Sequence, residues 1–217
     1  MIFINGEERL KCAIDQLIVA GWTGRDSHAV NHHIKELGQL GIAPPSAVPL
    51  YYRVSDSLLT QSPNIQVLGS ASSGEVEPLI LRQQDRWYLG LASDHTDREL
   101  EAHSVAASKQ ACVKPVAMQV WELDTVSNHL DDILIRCSIK ENNEIVLYQS
   151  GSLAALQPLQ TLINDANLSD NAAMLCGTLA AIESVRPATE YHMELDDPVL
   201  NRRITLKYKV SVLPIVN

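Results

Sequence analysis

Three carboxylates, Glu75, Glu77 and Asp94, stand at the far ends of two apolar runs in GEVEPLILRQQDRWYLGLASDHTDRELE, residues 74–101. The runs 75–82 and 87–93 are separated by Gln-Gln-Asp-Arg, a polar stretch of the length that makes a tight hairpin turn. A two-residue loop at Gln84-Asp85 pairs Leu81 with Tyr88, Leu79 with Gly90, Glu77 with Ala92 and Glu75 with Asp94. Side chains alternate faces along a strand, so this register puts all three acids on one face. Directly opposed Cβ atoms there lie about 4.5–5.5 Å apart. Opposed like charges destabilise a strand pair, so the cluster calls for a cation or for protonation. Carboxylate-only sites suit hard divalent ions, which makes Mg2+ or Mn2+ the natural ligand; the alternative is a solvated acidic hairpin end.

Other chemistry has weaker support. His28 and His32 are four apart, but the glutamate that a metalloprotease places beside its first histidine is missing. Cys12, Cys112, Cys137 and Cys176 are scattered without zinc-ligand spacing and read as reduced core residues. No G-x-G-x-x-G or Walker pattern occurs. Trp22, Trp87 and Trp121 read as core or interface aromatics.

The 217 residues carry a net charge of −9, which argues against a nucleic-acid or anionic-membrane partner. The N-terminus MIFINGEERL lacks a basic leader followed by a long apolar stretch, and no apolar run is long enough to span a bilayer. The expectation is a cytoplasmic protein with a small-molecule partner.

The elements that must position the acids follow from punctuation and periodicity. IFING leads through a short hairpin into a buried strand at 16–20, and a helix covers about 27–40, stopping at Gly41. IAPPSAVP must be extended, with PLYYRV a strand after it. Thr96-Asp-Arg-Glu99 has the form of a capping box, which starts a helix just beyond Asp94 and places Arg98 in its first turn, near the acids. Pro78 requires an edge position or a bulge in its strand. DILIRCSI and EIVLYQ flank a second turn at Glu141-Asn142-Asn143, Pro158 opens a helix to about Asn167, and AAMLCG and RITLKYKVSVL read as strands. The inventory predicts a mixed β-sheet roll with a few short helices, in the α+β or mainly β class.

In this order the motifs resemble the fumarylacetoacetate hydrolase superfamily in its C-terminal-type catalytic domain, as a divergent bacterial branch. The resemblance rests on Gly21-Trp-Thr, His33-Ile-Lys-Glu36, PPSAVP with Tyr51-Tyr-Arg53, Glu75-Val-Glu77, Ser93-Asp94 through Arg98 to Glu101, Lys109, Gln149-Ser-Gly151 and Gly177-Thr178. It divides the chain into a short N-terminal appendage, residues 1–20, and a catalytic domain, residues 21–217. Departures from the pattern are Pro78 inside the E-x-E strand, Arg53 in place of lysine and Glu101 in place of glutamine.

The resemblance implies Mg2+ or Mn2+ held by Glu75, Glu77 and Asp94, with His33, Glu36 and Lys109 catalytic and Arg53, Arg98 and Thr178 binding substrate; His32 rivals His33 as the base. It implies a hydrolase or lyase that cleaves a C–C bond of a 2-oxo acid or 1,3-dicarbonyl, acylpyruvate-like, through a metal-stabilised enolate. A hydratase, isomerase or decarboxylase would use the same site, and a non-catalytic small-molecule-binding protein is the reading from another class. A homodimer is also implied.

Overall fold

The computed structural model describes residues 1–39 and 44–216, with the side chains of His33, Glu36 and Leu37 outside that description. The chain runs β1 (Ile2–Asn5), β2 (Glu8–Lys11), β3 (Gln16–Gly21), α1 (Ser27–Gln39), β4 (Leu50–Val54) and β5 (Asn64–Leu68). The acidic hairpin follows as β6 (Val76–Gln83) and β7 (Arg86–Ser93), then α2 (Arg98–Glu101) and α3 (Val105–Ala111). The last third holds β8 (Leu134–Glu141), β9 (Glu144–Ser152), α4 (Leu159–Ala166), β10 (Ala172–Leu175), β11 (Glu190–Asp197) and β12 (Arg202–Leu213).

Two mixed sheets form the body of the molecule. One has the order Trp121–Glu122, β7, β6, β10, β3, β4; the other runs β9, β8, β11, β12, β5. Their facing surfaces share one core: Ile18, Ile80, Leu89, Leu91 and Met174 from the first, and Ile135, Tyr148, Tyr191, Leu195 and Tyr208 from the second. The opposite face of the first sheet carries Leu17, Val19, Leu79, Leu81 and Ala92, covered by Phe3 and Leu10 of the opening hairpin and by Val116 and Val120. The first sheet is therefore buried on both sides, which is why its strands read as apolar runs rather than clean alternation. This mainly β architecture with few short helices is the fold class expected.

Local chemistry fixes the hairpins. Gln84 and Asp85 have φ of 52° and 59°, and Asn142 and Asn143 have 49° and 67°, the left-handed pairs of two-residue turns that match strand twist. The β6–β7 ladder pairs Leu81 with Tyr88, Leu79 with Gly90 and Glu77 with Ala92, the predicted register. Beyond it, the Asp94 N–H donates to the Glu75 carbonyl at 2.9 Å. Pro78 breaks no pairing, contrary to the expectation of an edge or bulge, since it lies opposite Leu91 in the middle of a six-stranded sheet. Its carbonyl accepts from Cys176 N–H just past the end of β10 and its ring nitrogen faces the same residue, so the missing N–H omits one bond at the end of that ladder and none within it.

Other expectations shift in detail. The cap of α2 is Asp97, whose carboxylate accepts from Leu100 N–H, rather than Thr96, which pairs with Ser73 in a short bridge. Asp26 caps α1 by accepting from His28 N–H at 2.9 Å; the expected stop at Gly41 lies outside the described residues. The boundary after residue 20 falls inside β3, which sits between β10 and β4. The strands β5 and β11 are additional to those expected from the sequence. No helix among the described residues is long and apolar enough to cross a membrane. All four cysteines are unpaired and buried.

Candidate active site

The carboxylates collect at the end of the acidic hairpin, against the second face of the first sheet. Glu77 is opposite Ala92 on that face and only 2% exposed. Its Oε2 accepts the Gly177 N–H at 2.7 Å. Gly177 has φ +93° and packs so tightly that a Cβ would lie 1.7 Å from Thr23 Oγ1, so the turn that delivers this N–H admits glycine alone. Gln149 holds the same turn to β6: its Oε1 accepts from Val76 N–H, and its Nε2 donates to Thr178 Oγ1 and the Leu179 carbonyl. Burial, reinforced by Asp94 nearby, pushes the Glu77 carboxyl well above the ordinary glutamate value against the pull of Lys109.

Asp94 is fully buried and holds two ammonium groups. Lys109, from α3, donates to Oδ2, and Lys114 lies 2.9 Å from Oδ1. Burial alone would raise its carboxyl, but the two lysines hold it far below the usual aspartate range. Lys109 is 7% exposed and Lys114 fully enclosed. Burial works against the charge on both. Asp94, Glu77 and Glu75 together raise Lys109, whereas Lys114, repelled by Lys109, stays below the ordinary lysine value. Lys114 also donates to the His95 carbonyl, which fixes its amine in place.

Glu75 is claimed by Arg98. The guanidinium Nη2 lies 2.9 Å from Glu75 Oε2, an ion pair without hydrogen-bond alignment. Nη1 donates to Glu101 at 2.8 Å and Nε to Ser73 Oγ at 2.6 Å. Behind Asp94, His95 Nδ1 is 3.1 Å from Tyr208 Oη and Nε2 is 3.0 Å from Ser72 Oγ, while Tyr208 Oη meets Ser93 Oγ at 2.8 Å. Burial, with Lys114 and Arg98 close by, brings His95 down to about 3, so the ring is a neutral link between the two sheets. Gly74 makes room for it, because a Cβ there would meet Tyr208 Oη at 2.1 Å.

The remaining predicted site residues divide. Thr178 is beside Glu77, but its hydroxyl donates to the Val76 carbonyl and accepts from Gln149, a clamp within the turn. Arg53 is exposed and pairs across β3 with Ile18, which faces the core between the sheets, so its side chain leaves from the face opposite the carboxylates. Tyr52, one residue earlier, is on the acid-bearing face, with its ring 5.7 Å from Lys109 Nζ. His33 and Glu36 belong to α1, but their side chains lie outside the described residues. Sequence reasoning missed Lys114, Tyr52 and His95; a lysine flanked by Val113 and Pro115 in an apolar stretch was the available signal for the first.

The donor set suits a hard divalent cation in its chemistry. All three groups are carboxylates, and an added positive charge beside Asp94 would favour ionisation of the enclosed Glu77, which burial and Asp94 oppose. The side chains as arranged give that charge to lysine and arginine, and among the described residues no three acidic, histidine or cysteine groups are disposed to hold an ion together. Glu75, Glu77 and Asp94 would hold the cation once Lys109 and Arg98 released their oxygens.

This two-sheet fold is shared with solved structures of fumarylacetoacetate hydrolase family proteins. A yeast member of that family superposes with a TM-score of 0.66 at 17% identity, covering 94% of this chain and 95% of its own. A fumarylpyruvate hydrolase from Pseudomonas aeruginosa, crystallised with Mn2+ and pyruvate, gives 0.61 at 12% identity, covering 98% and 96%. A 2-keto-3-deoxy-D-arabinonate dehydratase gives 0.63 at 13% identity, covering 92% and 74%. No curated protein matches. Residues 20–208 match the family model described as protein of unknown function (DUF2848), and the chain belongs to that family.

Proposed function

We propose that the protein is a Mg2+- or Mn2+-dependent hydrolase or lyase acting on a C–C bond of a 2-oxo acid or 1,3-dicarbonyl of the acylpyruvate type. The observation that carries this reading is the enclosed Glu77–Asp94 pair with Glu75 at its rim, in a fold shared with a fumarylpyruvate hydrolase and a dehydratase. A cation bound by these carboxylates supplies Lewis acidity toward a chelated carbonyl. The chain's own contribution is charge and position. Arg98, Lys109 and Lys114 gather around Glu75, Glu77, Asp94 and Glu101, so a divalent ion added to the cluster leaves it positive by one and receptive to a substrate carboxylate. Lys109 and Arg98 are the cations that bind that carboxylate. His33, with Glu36 one helical turn away, is the base that activates water.

The dehydratase among the similar structures supports a second reading, elimination of water from a 2-oxo acid at the same site. A homodimer and a cytoplasmic location complete the proposal, the first checked by sedimentation of the purified chain. The decisive experiment is a panel of acylpyruvates, oxaloacetate and 2-keto-3-deoxy sugar acids, assayed with Mn2+ and with chelator. Turnover that requires the ion and is suppressed by His33→Ala supports the enzyme. Mn2+ binding with no turnover across the panel moves the assignment to a small-molecule-binding protein.

A further inference from the structure

We propose that Lys109 is an exchangeable counter-ion of the carboxylate site: a divalent cation binds by displacing its ammonium from Asp94, and the released amine then serves the anionic ligand. The inference rests on the metal-site reading above and adds an order of events to it.

Both oxygens of Asp94 are committed to amines, but the two lysines are not equivalent. Lys114 is fully enclosed and tied to a second acceptor, the His95 carbonyl, on a segment that also pairs with Leu59–Thr60. It has nowhere else to go. Lys109 has Asp94 as its single hydrogen-bond acceptor among the described contacts, retains slight exposure, and extends from a short helix toward the open face of Tyr52. The ammonium already lies over that ring at 5.7 Å, so it has a cation–π partner to keep when it gives up Asp94.

The carboxylates that would ligate a cation also act on this amine: Asp94 directly, Glu77 and Glu75 through space. With Oδ1 held by Lys114, an incoming ion must come to the oxygen that Lys109 holds, and an ammonium and a divalent ion side by side on Asp94 Oδ2 repel strongly in a place closed to water. Metal entry therefore requires that Lys109 leave, and metal affinity in the wild type is weakened by the free energy of breaking that contact. Once released, Lys109 brings a positive charge to the place where a substrate carboxylate would arrive, so metal and anion binding are coupled.

Mn2+ affinity is measured by calorimetry for chelator-treated wild type, Lys109→Met and Lys114→Met, and pyruvate affinity is then measured on the Mn2+-loaded proteins. Lys109→Met is expected to bind Mn2+ at least tenfold more tightly than wild type and to lose pyruvate binding by a similar factor. Reductive methylation of the wild type, read residue by residue by mass spectrometry, guards against a variant that fails to fold: saturating Mg2+ is expected to speed modification of Lys109 severalfold while Lys114 stays protected. A mere change of local charge would alter affinity without altering that reactivity. Unchanged Lys109 reactivity under saturating Mg2+, or Mn2+ affinity in Lys109→Met no tighter than wild type, overturns the exchange and leaves the metal site standing. Absence of Mn2+ binding in every protein overturns the metal site and the exchange together.

Discussion

The Gly177 N–H donates to Glu77 Oε2 at 2.7 Å, and the backbone that brings it there has φ +93° with Thr23 Oγ1 filling the space of a side chain. Gly177→Ala thus meets strain and a clash in one substitution. The expected loss of stability is about 3 kcal/mol or more, measured by urea denaturation. Adding Thr23→Ala removes the 1.7 Å contact but keeps Thr23 Cβ at 2.9 Å and the left-handed backbone. Full recovery in that double variant would show that the left-handed backbone is not the constraint.

Glu77→Gln keeps the acceptor for Gly177 and removes a charge that burial and Asp94 both oppose. A carboxyl whose folded pKa is raised has its stabilising proton below the unfolded value, about 4.3, and loses stability as pH climbs toward the folded value. In chelator, the variant should be more stable than wild type at neutral pH, with the advantage vanishing near pH 4. Mn2+ should stabilise the wild type and not the variant. Equal stabilisation of both by Mn2+ would remove Glu77 from the ligand set.

Arg98 joins Glu75, Glu101 and Ser73 through three different nitrogens. Arg98→Ala leaves two carboxylates uncompensated in a largely enclosed place, and the expected cost is about 2–3 kcal/mol, below the fully buried case because some solvent reaches the pair. Lysine carries the charge without the planar fork, so Arg98→Lys should recover less than half of the loss in thermal denaturation. Complete recovery would mean that charge alone matters.

Away from the site, Asp197 is fully buried and accepts from His129, Arg202 and the N–H groups of Val199 and Leu200 at the β11–β12 turn. Burial opposes its charge, but these donors win and keep its carboxyl below the usual value. The stability it contributes is present above about pH 3.9 and lost as pH falls through the depressed folded pKa. Asp197→Asn should therefore cost stability at pH 7 and converge on wild type under acid. A pH-independent difference would assign the effect to packing.

The acidic hairpin was legible because its determinants are local. Alternation with period two, a two-residue turn whose members accept left-handed φ, and apolar runs on both sides fix the register without reference to the rest of the chain. The same holds for the Asn142-Asn143 hairpin and for the proline-opened helix at Leu159. The polar alternation of EYHMELDD hides β11, since His192, Glu194 and Asp196 alternate with the buried Tyr191, Met193 and Leu195 and the run lacks an apolar signature.

Tertiary structure alone decided what neutralises the acids. Nothing in the spacing of Lys109 and Lys114 assigns them to Asp94, because those contacts form where α3, a short bridging strand and the hairpin end converge in space. Which of Tyr52 and Arg53 faces the site is likewise set by the pairing of β4 with β3, a non-local register in which a one-residue slip would exchange them. The sequence by itself determined that three carboxylates share one end of a hairpin. Packing against Gly177, Lys109 and Lys114 decided that two of them are buried, that one resists ionisation, and that the charge they require is already held by amines.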